Sequence, residues 1–451
     1  MFKSRRSATV NISSVFSVAS VAAAKGMKVA TIDVQQAYLN ADMETEVYMW
    51  LDPLLARILV KRDPSFAQYV DAKERILVKL NKAQYGCVES ARLWYNNISE
   101  FLLSIGFQKN PLDPCVFMSK TDAGEVFFIT LYVDDLMCFC ADESAIDNFI
   151  EKLEAKYTTI TVKRGEVHDY LAMRFDFSKP EEVLVTMAQY TLDILAENEV
   201  SCTADTPAAG NLFEIDSESP LLGTVEREKL HRTVAQCLFM ATRTRPDIAL
   251  PVMFLASRVL APTVQDQNKL YRVLRYLKGT HELGIFLGVG TDKSDFRVIC
   301  FADASHGVHA NGKSHSGIII SHGRGPVLAK SVKQKIVCRS STESELVTLS
   351  DATSLAAHEL AFFQSLGMEF KPVKVHQDNI STIRLAKNGR SLSDRTKHIK
   401  LRYFFVKQYI DDGEFEIVYC PTDQQIADVL TKPLQGETFK RLRARLLGYK
   451  Y

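Results

Sequence analysis

Two adjacent acids, Asp134 and Asp135, stand between apolar, β-prone runs at 126–131 and 136–140. That pattern predicts a β-hairpin with carboxylates at its tip. Carboxylates crowded at a tight turn repel each other and lose solvation. A divalent cation removes that cost, and hard oxygen ligands suit Mg²⁺. Taken alone, the dipeptide reads as a solvated turn, since Asp is common in turns. A second group of acids lies downstream. Asp303 and Asp378 follow apolar strands, Glu343 falls in the first turn of a helix, and Asp428 lies one turn into another. Each is weak by itself, and Ser340-x-x-Glu343 alone is better read as a capping box. Phosphoryl transfer with two metals needs such carboxylates converging from several elements. One ion lowers the pKa of the attacking hydroxyl and the other steadies the leaving oxygen.

The elements that must carry these acids can be read from periodicity. A helix over 13–25 ends at Gly26 and leads into a strand over 29–34, on which Val29, Thr31 and Asp33 share one face. The basic start, Lys3-Ser4-Arg5-Arg6, followed by small residues also fits an import signal, but the helix is the better reading. A loop and short helix are expected over 50–75 and a strand over 75–79. Leu93, Trp94, Ile98, Phe101, Leu102 and Ile105 recur at helical spacing over 90–105, and Gly106 stops them. Trp94 is read as core rather than as a base-stacking residue. An amphipathic helix over 146–157 backs the hairpin, and a strand pair over 170–187 follows. The stretch 201–220 is the clearest linker, rich in Ser, Asp, Pro and Gly.

Helices are expected over 225–242, 248–259 and 264–278. The third carries Lys269, Arg272, Arg275 and Lys278 on its outer side. That stripe reads equally as a solvated face and as a phosphate-tracking face. Beyond Phe296, strands are expected over 297–302, 317–321, 327–331, 373–377 and 415–419. Helices are expected over 341–366 and 423–431. Lys330, Lys333, Lys335 and Arg339 suggest one exposed basic edge, either a track for a nucleic-acid backbone or a solvated edge.

With 451 residues, two or three domains are expected. Hydrophobic residues make up 46% and charged residues 24%, the balance of a globular chain rather than a disordered one. A net charge of +1 leaves any nucleic-acid surface to local patches. No apolar run is long enough to span a membrane. The nine cysteines are scattered without a Cys-x-x-Cys pair, and the ten histidines add no zinc spacing. These features point to a reducing, intracellular compartment, cytoplasmic or nuclear.

Tyr132-Val133-Asp134-Asp135 between apolar strands resembles the catalytic hairpin of reverse transcriptases. Thr31-Ile32-Asp33-Val34-Gln35-Gln36-Ala37-Tyr38 resembles the other half of that site. Further blocks follow in family order: Lys82-Ala83-Gln84-Tyr85-Gly86, Ala91-Arg92-Leu93-Trp94-Tyr95, Thr244-Arg245-Pro246-Asp247-Ile248, Arg275-Tyr276-Leu277-Lys278-Gly279-Thr280, Ser340-Ser341-Thr342-Glu343 and Ala427-Asp428-Val429-Leu430-Thr431-Lys432-Pro433. Over nearly its whole length the chain resembles the polymerase end of a copia-type retrotransposon Pol polyprotein. The resemblance implies an α+β polymerase palm with the fingers largely missing, over 1–205. A helical thumb and connection over 206–294 follows, and then an α/β RNase H-like domain with a mixed sheet, over 295–451.

By the same resemblance, Asp33 and Asp134 are shared metal ligands and Asp135 a weaker one. Asp303, Glu343, Asp378 and Asp428 are the four acids of RNase H, with two Mg²⁺ (or Mn²⁺) at each site. Tyr38 selects deoxynucleotides, unless it is a core tyrosine, and Gly86 lies against the nucleotide. The implied partners are an RNA template, a DNA primer, deoxynucleoside triphosphates and an RNA–DNA hybrid, with virus-like particles as the setting. Lys269, Arg272, Arg275, Lys278, Lys333, Lys335 and Arg339 are the expected nucleic-acid contacts. His398 belongs to a family block without an assigned role.

The chain departs from the family pattern in places. Ala172 stands where the family usually has Gly, Val88 and Glu89 where it has Lys-Gln, and Ala329 where Trp is common. Two readings follow: a reverse transcriptase with RNase H, or a remnant that binds nucleic acid or keeps only RNase H. The expectation is weak primer extension, because the fingers precede Met1 in the family, with RNase H activity outliving it.

Overall fold

The computed structural model describes residues 7–290, 295–388 and 400–450. They form two compact units, one made of 7–10 with Val29–Arg164 and the other of Asn11–Lys28 with 165–450. The expected boundaries at 205/206 and 294/295 both fall inside the second unit.

In the first unit, alternating apolar residues build a six-stranded sheet. Its order is Gln108–Lys109, Val116–Lys120, Val126–Tyr132, Asp135–Cys140, Lys28–Val34 and Ile160–Arg164. Phe127, Ile129 and Leu131 on one hairpin strand and Leu136, Cys138 and Cys140 on the other are buried with Ile32 and Val34. Trp94, Ile98 and Leu102 of helix Ser90–Ser104 share that core with Ile146, Phe149 and Leu153 of helix Glu143–Tyr157. The cysteines pack as small hydrophobes. The second helix starts three residues before its apolar pattern does, because the Asp142 carboxylate caps it by accepting from Ser144 N–H. The expected strand near 75–79 is Ile76–Lys79, and it pairs with Tyr48–Leu51.

In the second unit, helix Ile12–Ala24 ends at Gly26, where φ is +62°. It is buried along most of its length and packs on strands Glu182–Thr186, Ile285–Gly288 and Pro326–Lys333. The Ser17 hydroxyl donates to Glu359 Oε1 at 2.6 Å, an oxygen that also lies 3.0 Å from His322 Nε2. Such burial suits a structural helix rather than an import signal. The expected strand pair over 170–187 is a set of three strands, Val167–Tyr170, Met173–Asp176 and Glu182–Thr186. Ile285–Gly288 joins them in a four-stranded sheet. The turn between the first two uses Leu171 and Ala172 at φ of +54° and +62°. That conformation suits Gly, which is the family's usual residue at 172.

The stretch 201–220 is no free linker. Thr206, Pro207 and Ala208 are buried, and Gln435 Nε2 donates to Ala208 O at 2.8 Å. Helices Thr224–Ala241, Ala249–Ala256 and Val264–Lys278 follow, the last opened by a capping box of Thr263 and Asp266. A mixed five-stranded sheet then runs in the order Pro326–Lys333, His315–Ser321, Ile299–Ser305, Val373–Gln377 and Phe415–Tyr419. The first two pairings are antiparallel and the last two parallel. Helix Ser341–Ser365 packs across this sheet. The helix expected over 423–431 is instead a pair of 3₁₀ turns, Thr422–Gln424 and Ile426–Leu430. Among the described residues no helix is long and apolar enough to cross a membrane.

Candidate active sites

In the first unit the Asp33 strand lies beside hairpin strand Asp135–Cys140, and Val34 N–H donates to Asp134 O at 3.0 Å. Tyr132 pairs with Asp135, closing a two-residue turn of Val133 and Asp134. Val133 sits at φ +56°, a left-handed conformation that costs a β-branched residue energy. Trp94 holds it there: its indole Nε1 donates to Val133 O at 2.6 Å. Trp94 is therefore core, as expected, and also the prop of the acidic turn. Burial, and then Asp134, raise the Asp33 carboxyl above the usual range. Burial, Asp134 and Asp33 together push Asp135 up to about 6. Hard oxygen donors suit Mg²⁺ or Mn²⁺, but among the described residues Asp33, Asp134 and Asp135 are not in the group of acids that converges closely enough to hold an ion.

Tyr38 lies beside this group on the short turn Ala37–Asn40, with its ring centroid 4.3 Å from that of Tyr85. The Tyr85 hydroxyl donates to Asp134 Oδ2 at 3.4 Å. The two rings thus form one aromatic wall against the acids. Gly86, next in the chain, takes φ +96°, which only Gly adopts freely.

In the second unit, parallel pairing places Phe301 opposite His376. The same register carried two residues on sets Asp303 level with Asp378. Asp378 directly follows strand Val373–Gln377, whereas Asp303 lies inside its strand, which runs on to Ser305 rather than stopping at 302 as expected. Glu345, from the first turns of helix Ser341–Ser365, completes the group. One carboxylate oxygen from each of Asp303, Glu345 and Asp378 lies within 4.8 Å of the others. Glu343 is not among them. It accepts from Arg339 N–H at 2.5 Å, while its own N–H donates to Ser340 Oγ at 3.3 Å. The fold thus brings Glu345, and not the expected Glu343, to Asp303 and Asp378, because the Glu343 carboxylate is turned back to the Arg339 N–H just before the helix N-cap Ser340.

Burial, Asp303 and Asp378 push Glu345 up to about 9, and burial followed by Asp303 raises Asp378. Asp428 is buried in the 3₁₀ turn, and burial and Asp303 push it to about 7. Lys432 Nζ lies 2.7 Å from Asp428 Oδ1 and 3.3 Å from Asp303 Oδ1. The Thr431 hydroxyl donates to Asp303 Oδ2, and the Thr422 hydroxyl donates to Asp378 Oδ2 at 3.2 Å. Buried acids pushed toward their neutral forms are what a hard divalent ion would restore to carboxylates, so the donor set fits Mg²⁺ or Mn²⁺. Glu345 had one readable signal: a second acid two residues beyond one already committed to a cap.

The basic stripe of helix Val264–Lys278 is mostly not an outer face. Lys269 Nζ donates to Glu214 O at 2.6 Å, Arg272 to Thr206 O and Oγ1 at 3.2 and 2.8 Å, and Lys278 to Val200 O at 2.6 Å. These charges fasten the segment 200–214 to the helix, and Arg275 alone of the four is exposed. Lys330, Lys333, Lys335 and Arg339 are exposed along and beyond edge strand Pro326–Lys333, as expected. His398 lies outside the described residues.

Two of the sequence blocks prove structural. Arg245 forks onto Asp247 at 3.0 and 2.8 Å and donates to Thr280 O and Oγ1, both at 2.8 Å. The Tyr276 hydroxyl donates to Asp247 Oδ2 at 2.5 Å. Arg245 and Asp247 are each 1% exposed, so this clamp is fully interior.

Residues 2–208 match the family described as reverse transcriptase (RNA-dependent DNA polymerase). The retrovirus-related Pol polyprotein from transposon RE1 of Arabidopsis thaliana is 28% identical over 449 residues, 98% of this chain and 29% of that protein. The transposon Ty1-DR6 Gag-Pol polyprotein of Saccharomyces cerevisiae is 24% identical over 454 residues, 97% of this chain and 25% of that protein. Among solved structures, RNase H1 from Halobacterium salinarum NRC-1 overlaps 30% of this chain and 94% of its own, with a TM-score of 0.23 and 16% identity. The chain thus spans less than a third of the polyproteins it matches.

Proposed function

We propose that this chain, which is similar to the Pol polyproteins of copia-type transposons and matches the reverse transcriptase family over residues 2–208, is an RNA-directed DNA polymerase with ribonuclease H activity. The observation that carries the second activity is the convergence of Asp303, Glu345 and Asp378 within 4.8 Å from two neighbouring parallel strands and a helix. The first activity rests on Asp33, Asp134 and Asp135, with Tyr38 and Tyr85 beside them.

Two bound Mg²⁺ or Mn²⁺ at each site would supply Lewis acidity to the attacking and leaving oxygens. Asp33 and Asp134 would hold them in the first unit, with Asp135 the weaker ligand. Asp303, Glu345, Asp378 and Asp428 would hold them in the second. Tyr38, backed by Tyr85, crowds the sugar of an incoming deoxynucleotide, and Gly86 lets the backbone approach it. Lys333, Lys335 and Arg339 take the backbone of the RNA–DNA hybrid along the sheet edge, while an RNA template and a DNA primer occupy the polymerase unit. Purified chain is assayed for extension of a DNA primer on RNA and for cleavage of RNA in a hybrid. Asp134→Asn should abolish only the first and Asp303→Asn only the second. Retention of both activities by both variants would remove the assignment.

A second reading, in which only RNase H activity remains, is favoured by Ala172 at φ +62° and by Val88 and Glu89 where the family has Lys-Gln. Under it, hybrid cleavage persists and extension is absent from the parent protein.

A further inference from the structure

We propose that the Lys432 ammonium is the built-in cation of the pair Asp303 and Asp428, and that it competes with the second divalent ion for that place. The inference rests on the ribonuclease H reading of this site. Lys432 Nζ sits between two carboxylates from different elements, 2.7 Å from Asp428 Oδ1 and 3.3 Å from Asp303 Oδ1. The backbone fixes it there. Lys432 N–H donates to Asp428 O at 2.8 Å, so the base of the side chain is folded over the acid it pairs with. The other oxygen of Asp303 accepts from the Thr431 hydroxyl, which keeps the first oxygen turned toward the ammonium.

An ion that Asp303 and Asp428 would hold together would supply positive charge to the same two carboxylates that the Lys432 ammonium already contacts. The two cations therefore compete by charge. The group formed by Asp303, Glu345 and Asp378 has a different make-up: three acids from two neighbouring strands and a helix converge within 4.8 Å. One ion is thus received by three carboxyl groups of which, among the described residues, only Asp303 is ion-paired, whereas the other must displace a lysine from both of its acids. Displacement is feasible, because the Lys432 side chain is 34% exposed and carries a flexible four-carbon stem. The lysine thus orders the loading of the site: the acid trio first, and the pair with Asp428 second and more weakly.

The test counts Mn²⁺ bound to the full chain at pH 7.5, from loss of the free-ion electron paramagnetic resonance signal. All proteins carry Asp134→Asn, which weakens the separate carboxylate group of the first unit. The parent should take up one ion at this site, with a second weaker by ~10-fold or more, given one full charge in contact. Lys432→Met should take up two ions of similar affinity. Lys432→Gln, which keeps a donor for Asp428 without the charge, should do the same, so either folded variant decides the matter. Mn²⁺ should also raise the Tm of these variants more than that of the parent. Folded variants with the parent's count and affinities would overturn the role of Lys432 and leave the ribonuclease H reading standing. If neither parent nor variants bind Mn²⁺ at these acids, that reading falls and this inference with it.

Discussion

Glu345→Gln should stabilise the ion-free protein at neutral pH while abolishing cleavage of RNA in a hybrid. Glu343→Gln should do neither, because Gln also serves at a helix cap. The magnitude follows from proton linkage. Burial, Asp303 and Asp378 push Glu345 from 4.5 up to about 9 in the folded chain. A raised folded value means that its contribution is fully present below pH 4.5 and is lost as pH rises through about 9. For one proton the slope is at most ~1.4 kcal/mol per pH unit. Between pH 5 and 7 the parent should therefore lose about 2–3 kcal/mol that the Gln variant, having no proton to hold, does not lose. Urea unfolding of both proteins at pH 4, 5, 6 and 7 reads this directly. The curves should meet near pH 4 and separate upward, with the variant the more stable. Added Mg²⁺ should reverse the order at pH 7, because the ion needs the carboxylate. Parallel pH profiles, or loss of cleavage in Glu343→Gln with retention in Glu345→Gln, would refute the reasoning.

Three further outcomes are expected. Trp94→Phe removes the indole donor to Val133 O. It should cost ~1–3 kcal/mol by leaving that carbonyl without its bond, and it should slow primer extension while hybrid cleavage stays at the parent rate. Extension at the parent rate would mean that the turn holds itself. Arg245→Met leaves Asp247 charged and unpaired inside the clamp, so urea unfolding should show a loss of about 3–5 kcal/mol. A loss under 1 kcal/mol would mean that Tyr276 alone suffices. Ala172→Gly relieves a left-handed alanine and should stabilise the chain by ~1 kcal/mol. An unchanged or lower urea midpoint would show that the turn is not strained.

Much of the molecule is legible in the sequence because its signals are local. Apolar runs flanking Asp134 and Asp135 are enough for a hairpin, and the hairpin is Val126–Tyr132 with Asp135–Cys140. Helical spacing from Leu93 to Ile105 gives helix Ser90–Ser104 within a residue of its ends. Val373–Gln377 and Phe415–Tyr419 are the strands that their patterns predict. Asp378 could be singled out because a strand that ends in an acid shows itself over a few residues, whereas the strand expected to end at Asp303 runs on to Ser305.

What only the tertiary structure decided concerns where long side chains go. Glu343 and Glu345 are two residues apart on one helix, and a backbone N–H at Arg339 claims the first and leaves the second for Asp303 and Asp378. Lys269, Arg272 and Lys278 look like an outer basic stripe until the carbonyls of Glu214, Thr206 and Val200 take their donors. The Ser, Asp, Pro and Gly of 201–220 spell a linker, yet Thr206 and Ala208 are pinned by Arg272 and Gln435 from far along the chain. Backbone conformation follows from neighbours in sequence. The partner of a charged side chain is whichever complementary group the fold brings within about 3 Å, and no local pattern of residues encodes that distance.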